Sequence, residues 1–442
     1  MSTLEIPSAA EIEAMRRHVM IGGGTPGPLL VRGQGARVWD VEGKSYLDCT
    51  SQSWAMYLGH NHPEINQAIA DQAGQLMRVQ QSFETLPRLR FAAKLAALAP
   101  PKLNRVSFTV GGGLAVEAAL KIAVRNNPRA SEFICLWDAY HGSTLGTMGA
   151  SWISTRARGN FAGGALYTHL TRPFVRVPNP YCYRCPLDRT REECGLACAE
   201  MLKKTLERGV NGPCGGVIVE PIQASGGQIP LPREYLQRVR EICDEFQVPL
   251  IFDEIQTYLR IGTVFAADYY GVAPDILCLG KGLGAGLPIA AILISDDLEG
   301  FGPDAEELHT FASHQLAQVA GLKLLEIVER DHLLDHVRAQ GQWLAEQLRN
   351  LQKRYPEIGD IRQVGLHIGV EFVADPVSKR PLPEAVQAIR REAMARGVIF
   401  GLAGVRPYVL KIKPPLIVTR DECEEAISVL EEALAAVLGP RA

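Results

Sequence analysis

One lysine, Lys281, stands where the apolar run Ile276-Leu277-Cys278-Leu279 breaks into a turn carrying Gly280, Gly282, Gly284 and Gly286. A phosphate-binding P-loop would need Gly-x-x-x-x-Gly-Lys followed by a hydroxyl residue, but the flanking positions here are Asp275 and Gly282. A lysine in a glycine-rich turn is ordinarily a solvated surface cation. Here three apolar runs end in polar residues: GGVIVE at Glu220, followed by Pro221, Ile222 and Gln223; VPLIFD at Asp253, followed by Glu254, Ile255 and Gln256; and DILCLG at Lys281. Ligands of open α/β sheets bind outside the carboxyl ends of the strands. An amine buried there has its pKa lowered, which suits it to Schiff-base chemistry.

A carboxylate at a neighbouring strand end, Asp253, is what pyridoxal phosphate requires opposite its ring nitrogen, because the protonated ring is the electron sink. The other needs of that cofactor can be sought in turn. Its phosphate needs a helix N-terminus, and FTVGGGLAVEAAL places Gly111, Gly112 and Gly113 between a strand and a helix. The ring needs an aromatic plate, and DAYHGST supplies Tyr140 with His141 just after the strand EFICLW. The ring hydroxyl needs a donor, and Gln256 lies three residues past Asp253. Each signal alone has a plain structural reading as loop, packing or helix cap. Their joint order, with Lys281 following Asp253 by 28 residues, favours the cofactor site.

These residues need a scaffold, and the chain supplies one. From about residue 105 short apolar runs (RVSFTV, EFICLW, GGVIVE, VPLIFD, DILCLG, IAAILIS) alternate with amphipathic helices such as REYLQRVREICDEF. Strands apolar throughout argue for an α/β fold with a mostly parallel sheet covered on both faces. Residues 36–48 read as a hairpin about Glu42-Gly43, and HPEINQAIADQAGQL as a helix. After about residue 315, long helices lead into a strand pair, the strand VLKIK and a last helix, an α+β tail. The division expected is an N-terminal segment of a small domain over 1–59, a large cofactor domain over 60–320 and the C-terminal small domain over 321–442.

At 442 residues, with 46 Lys+Arg against 49 Asp+Glu, the chain carries no charge excess that would point to nucleic acid or an anionic membrane. Its opening MSTLEIPSAAEIEAMRRHVM lacks the apolar stretch of a secretory signal, and no run of 18 apolar residues follows. A cytoplasmic location is expected.

The chain resembles the class III, fold-type-I aminotransferases that use pyridoxal phosphate, over nearly its whole length. The matching motifs include LDCTSQSWAMYLGHNHPEI, AYHG, VEPIQASGG, IFDEIQT, PDILCLGKGLGAGLP, HTFASHQLA and KIKPPLIVT. It looks most like the branch containing 2,2-dialkylglycine decarboxylase and some amino-acid racemases. The resemblance implies that Lys281 is the Schiff-base lysine and proton carrier, and that Asp253 pairs with the ring nitrogen. Gln256 would lie near the ring hydroxyl and Tyr140, beside His141, would stack on the ring. Gly111, Gly112 and Gly113 would hold the phosphate, helped by Thr310 from the second subunit of a homodimer or dimer of dimers. Glu220 and Gln223 would flank the substrate side, with Ser53, Trp54 and Lys411 around the substrate carboxylate.

The sequence departs from the family pattern in places. Gly111 and Leu114 replace a hydroxyl and an acidic residue of the phosphate loop, and His314 stands where the decarboxylase has a metal-binding aspartate. Lys411 replaces the carboxylate-binding arginine, giving a point charge in place of a bidentate fork. The reaction implied is transfer of an amino group from an amino acid or amine donor to a keto acid acceptor. The alternatives are racemisation, decarboxylating transamination, or a catalytically silent relative kept as a scaffold.

Outside these motifs, Cys182, Cys185, Cys194 and Cys198 follow the spacing C-x2-C-x8-C-x3-C. Four thiols so close in a cytoplasmic chain point to a structural zinc or an iron-sulfur centre, with redox-labile or simply buried thiols as the alternative.

Overall fold

The computed structural model describes residues 6–20, 27–151, 167, 169–171 and 173–441. The first five residues of the opening segment therefore lie outside the described residues.

The apolar runs form one seven-stranded sheet. Its strands are β1 (Leu103–Thr109), β2 (Glu132–Leu136), β3 (Phe174–Val177), β4 (Cys214–Val219), β5 (Leu250–Asp253), β6 (Ile276–Leu279) and β7 (Ala290–Ser295). They lie in the order β1-β7-β6-β5-β4-β2-β3. Every residue of β2, β4, β5, β6 and β7 is buried. The two-residue period of a strand explains how. Leu250, Phe252, Leu277 and Leu279 enter one core, whereas Ile251, Ile276 and Cys278 enter a second core with the helix Gly112–Asn126. The sheet is parallel from β3 through β6. The run IAAILIS is the exception, since β7 pairs antiparallel with both β6 and β1.

Register sets the chemistry at one end. Val219 pairs with Phe252 and Asp253 with Cys278, so Glu220, Asp253 and the turn after Leu279 emerge together at the carboxyl ends of β4, β5 and β6. A right-handed crossover rule for parallel strands makes such convergence a property of the topology.

The chain ends meet in a second sheet, and C-terminal strands alone form another. The hairpin Arg37–Asp40 with Ser45–Asp48 turns at Gly43, and Val398–Ile399 adds parallel to its second strand. The strands Ile358–Val364, His367–Phe372, Val409–Ile412 and Gly401–Leu402 form the other sheet. Long amphipathic helices, Gln315–Arg330, Leu333–Arg354 and Arg420–Leu438, follow the expected periodicity. Among the described residues no helix is long and apolar enough to cross a membrane.

The glycines around Lys281 serve close packing. A Cβ on Gly282 would fall 2.3 Å from the ring of Tyr57, a fully buried side chain. Lys281 itself has φ of 48°, a left-handed conformation that an L-residue adopts only under constraint. Gly282→Ala should therefore lower stability by about 1–3 kcal/mol, the cost of overpacking a filled core. Gly111→Ala, where a Cβ meets nothing within 4 Å, should leave it nearly unchanged. Denaturant unfolding of the two variants checks the contrast.

Candidate active site

The three strand ends open into a cavity of about 300 Å³, lined by Glu220, Asp253, Gln256, Lys281, Tyr140 and the glycines at the start of the helix Gly112–Asn126. That helix makes its first internal bond from the Ala115 N–H to the Gly111 carbonyl, at 3.0 Å. The amides before it point out of the helix, where an anion is stabilised. Glycine is required by packing as much as by the anion, because a Cβ on Gly112 would lie 2.8 Å from Ile255.

Asp253 is buried and doubly held. One oxygen accepts the Ile255 N–H at 3.1 Å and the other accepts His141 Nδ1–H at 2.8 Å. Among the described residues His141 Nε2 is buried without a partner. The sequence placed His141 only as a neighbour of Tyr140; its bond to Asp253, across 112 residues, needed the fold. Glu220 accepts the N–H groups of Tyr140 at 2.9 Å and Ala224 at 3.0 Å. Burial pushes its carboxyl up to about 7, against the lowering effect of His141. Burial likewise depresses the Lys281 amine below the ordinary lysine range, although Asp253 and Glu220 pull it back up.

The donor set fits pyridoxal phosphate. A helix N-terminus suits the phosphate, the Asp253 carboxylate suits a protonated ring nitrogen, and an amine with a lowered pKa suits the aldehyde. Gln256 Oε1 accepts a hydrogen bond from Lys413 Nζ at 2.9 Å, so its amide group is oriented from behind. Lys413 was not singled out from the sequence. The signal was there in VLKIKPPL, where two lysines two residues apart, Lys411 and Lys413, interrupt an apolar strand on one face.

Other expected residues lie outside the cavity wall. Gln223 is fully buried with both ends of its amide engaged, donating to the Trp137 carbonyl at 2.8 Å and accepting from Asn179 at 2.7 Å. Thr310 is exposed and its carbonyl accepts from Arg78 Nε at 2.8 Å. Ser53 is exposed, and Trp54 packs on Gly401, where a Cβ would meet the indole at 2.4 Å. Residues Ser51 to Trp54 have φ values of 45°, 40°, 60° and 70°, a left-handed turn without a glycine. Such backbone costs roughly 1–2 kcal/mol per residue. It is held by Ser51 Oγ donating to the Lys413 carbonyl at 2.6 Å and by Gln52 N–H donating to Asp48 at 3.0 Å.

Two amines share the Trp54 ring, Lys411 Nζ at 4.8 Å and Lys413 Nζ at 5.1 Å from its centroid. Both lysines are buried, and behind them lies Arg260, fully buried over the Tyr57 ring at 4.7 Å. His367 is buried, with both ring nitrogens unpartnered among the described residues, and its pKa is held far below the histidine range by burial and then by Lys413, Arg260 and Lys411.

The four cysteines of residues 182–198 do line one cavity, but it is of about 20 Å³, room for one water-sized atom. All four are free thiols, and among the described residues no group of three or more His, Cys, Asp or Glu is arranged to hold a metal ion. The expected zinc or iron-sulfur centre is thus without support among the described residues.

Burial moves Lys411 down to about 7 from the ordinary 10.5, with Glu220 opposing the shift. The unfolded chain therefore binds more protons at this residue between those two values, and its contribution to stability improves as pH rises across the window. Lys411→Met should stabilise the cofactor-free protein by a few kcal/mol at and below pH 7, with the gain shrinking as pH approaches 10.5. Unfolding curves at several pH values measure it.

The family model described as aminotransferase class III matches residues 24–434. The adenosylmethionine-8-amino-7-oxononanoate aminotransferase of Nitratidesulfovibrio vulgaris is 35% identical over 429 residues, covering 91% of this chain and 76% of that protein. A leucine/methionine racemase of Thermococcus litoralis is 32% identical, covering 92% of this chain and 90% of its own. Among solved structures, an (S)-enantioselective omega-transaminase of Thermomicrobium roseum superposes with a TM-score of 0.87 at 29% identity, covering 98% of this chain and 100% of that one. A cavity built on Lys281, Asp253 and a helix N-terminus, carried by this sheet, agrees with that likeness, and the chain belongs to the class III aminotransferases.

Proposed function

We propose that the chain is a pyridoxal-phosphate-dependent transaminase whose Lys281 anchors the cofactor and moves the proton, exchanging an amino group between an amino acid or amine donor and a keto acid acceptor. The observation that carries the reading is the Lys281 amine and the Asp253 carboxylate in one cavity with a helix N-terminus. Bound there, the cofactor supplies a carbonyl that takes up the amino group and a ring that delocalises the electron pair left when a bond to the substrate carbon breaks. The Asp253 carboxylate would face the ring nitrogen, and His141 fixes its orientation by hydrogen bonding. The amides at Gly112 and Gly113 hold the phosphate, and Tyr140 covers a ring face. Lys281, its amine pKa lowered by burial while Asp253 and Glu220 oppose the shift, takes the proton from the substrate carbon and returns it. Glu220 stands at the substrate side, and Trp54 with Lys411 offers the cation toward which a substrate carboxylate is drawn.

A second subunit completes this picture. Leu76, Met77, Phe83, Leu86, Leu308 and Phe311 are exposed apolar residues on the segments flanking Thr310. Apolar surface of that kind on adjoining segments marks an interface, and Arg78 ties the two segments together through Thr310 and His314. A homodimer joined there would carry Thr310 to the partner's phosphate site.

Lys281→Ala should lose at least about a thousandfold in kcat/KM, as expected when a covalent anchor and proton carrier is removed, together with the visible band of the bound cofactor. Retained amino transfer in this variant would overturn the assignment. Product analysis separates the racemase reading: the antipode of an amino acid appearing without any keto acid would favour it. Phe311→Arg should shift the protein toward monomer in sedimentation and weaken cofactor binding with it.

A further inference from the structure

We infer that Lys413 is a positioning residue that orients the Gln256 carboxamide so that its N–H group, and not its oxygen, faces the cofactor cavity. The inference rests on the reading that the cofactor ring lies against Gln256. A carboxamide has nearly the same shape in either orientation, and only its hydrogen-bond partner decides which end points where. Gln256 lines the cavity on one side and meets Lys413 on the other, where the amine donates to Oε1 at 2.9 Å. In this contact the amine donates a hydrogen and so takes the oxygen end of the carboxamide. The Gln256 Nε2 group is thereby turned to the cavity as a donor. The ring oxygen of pyridoxal phosphate is an acceptor, and an oxygen facing it would repel it.

The position of Lys413 is fixed before its side chain is considered. Its N–H donates to the Cys49 carbonyl at 2.8 Å, its carbonyl accepts from Ser51 Oγ at 2.6 Å, and Arg260 Nη1 holds the next carbonyl, that of Pro414, at 2.6 Å. Its amine lies over the Trp54 ring, 5.1 Å from the centroid, and donates to Gln256. The environment is otherwise hostile to a cation. Arg260, Lys411 and Lys281 act on it as like charges, His367 is held neutral, and Glu220 opposes them. Lys413 is fully buried and forms no ion pair among the described residues. An apolar side chain would fill this place at lower energetic cost. The hydrogen bond to Gln256 is what the amine provides that a methionine would not.

Pyridoxal phosphate is titrated into cofactor-free wild type, Lys413→Met, Gln256→Ala and the double variant, following the visible band, with the thermal midpoint of each cofactor-free protein recorded. Lys413→Met and Gln256→Ala should each weaken binding by about 3- to 10-fold, the worth of one hydrogen bond. The double variant should be no weaker than Gln256→Ala alone, because both act through one contact. The cofactor-free midpoint of Lys413→Met should equal or exceed that of wild type, which a merely structural lysine would not allow. An equal further loss from Lys413→Met in the Gln256→Ala background would overturn the inference, as would a Lys413→Met protein with unchanged affinity and band position. No effect of Gln256→Ala itself would instead overturn the placement of the ring. Gln256→Glu, which keeps a partner for Lys413 while presenting oxygen to the cavity, should bind more weakly than Gln256→Ala, and tighter binding would count against the orientation argued here.

Discussion

An amine surrounded by protein in place of water gives up its proton at a lower pH, and this constraint governs how Lys281 is placed. It must be kept from water, which lowers its proton affinity, yet lie close enough to Asp253 and Glu220 for their charge to oppose that lowering. The left-handed backbone at Lys281 and the glycines around it follow from that requirement, since the turn must fold back tightly over Tyr57 and Ile255. The parallel register then does the rest. Because Val219, Phe252 and Leu277 share one level of the sheet, the polar residues following them are delivered to one place.

The second feature of the site is an excess of buried positive charge. Lys411, Lys413 and Arg260 lie behind the cavity, and the protein offsets their burial with π-faces and carbonyls more than with carboxylates. Tyr57 and Trp54 supply the faces, and the carbonyl of Pro414 accepts from Arg260. The strained turn Ser51–Trp54 is part of the same construction, because the hydroxyl of Ser51 receives Arg260 at 2.9 Å and donates to Lys413. Strain in the turn is thus sustained by the hydrogen bonds that hold the lysine strand against it.

The remaining cysteines behave as small apolar side chains. Cys135, Cys214, Cys243 and Cys278 fill the cores on the two faces of the sheet, and burial raises their thiol pKa values above the ordinary range. The thiols of residues 182–198 differ in being partly exposed around a small void. Their close spacing in sequence brings them to one small void, and among the described residues no metal-holding group forms there.

Local chemistry was legible in the sequence by itself. Runs such as LIFD and ILCL, apolar at consecutive positions, can be stable only between two covering layers, and a lysine or aspartate closing such a run must sit at its polar end. The glycine run ahead of AVEAAL marks a helix start for the same kind of reason. The tertiary structure alone decided which distant groups meet. The bond between His141 and Asp253, the reach of Lys413 to Gln256 and the withdrawal of Gln223 into the Trp137 and Asn179 contacts depend on strand register and on the way the two chain ends fold together. A one-residue change of register would send each of these side chains to the opposite face, and no local pattern of residue types records that choice.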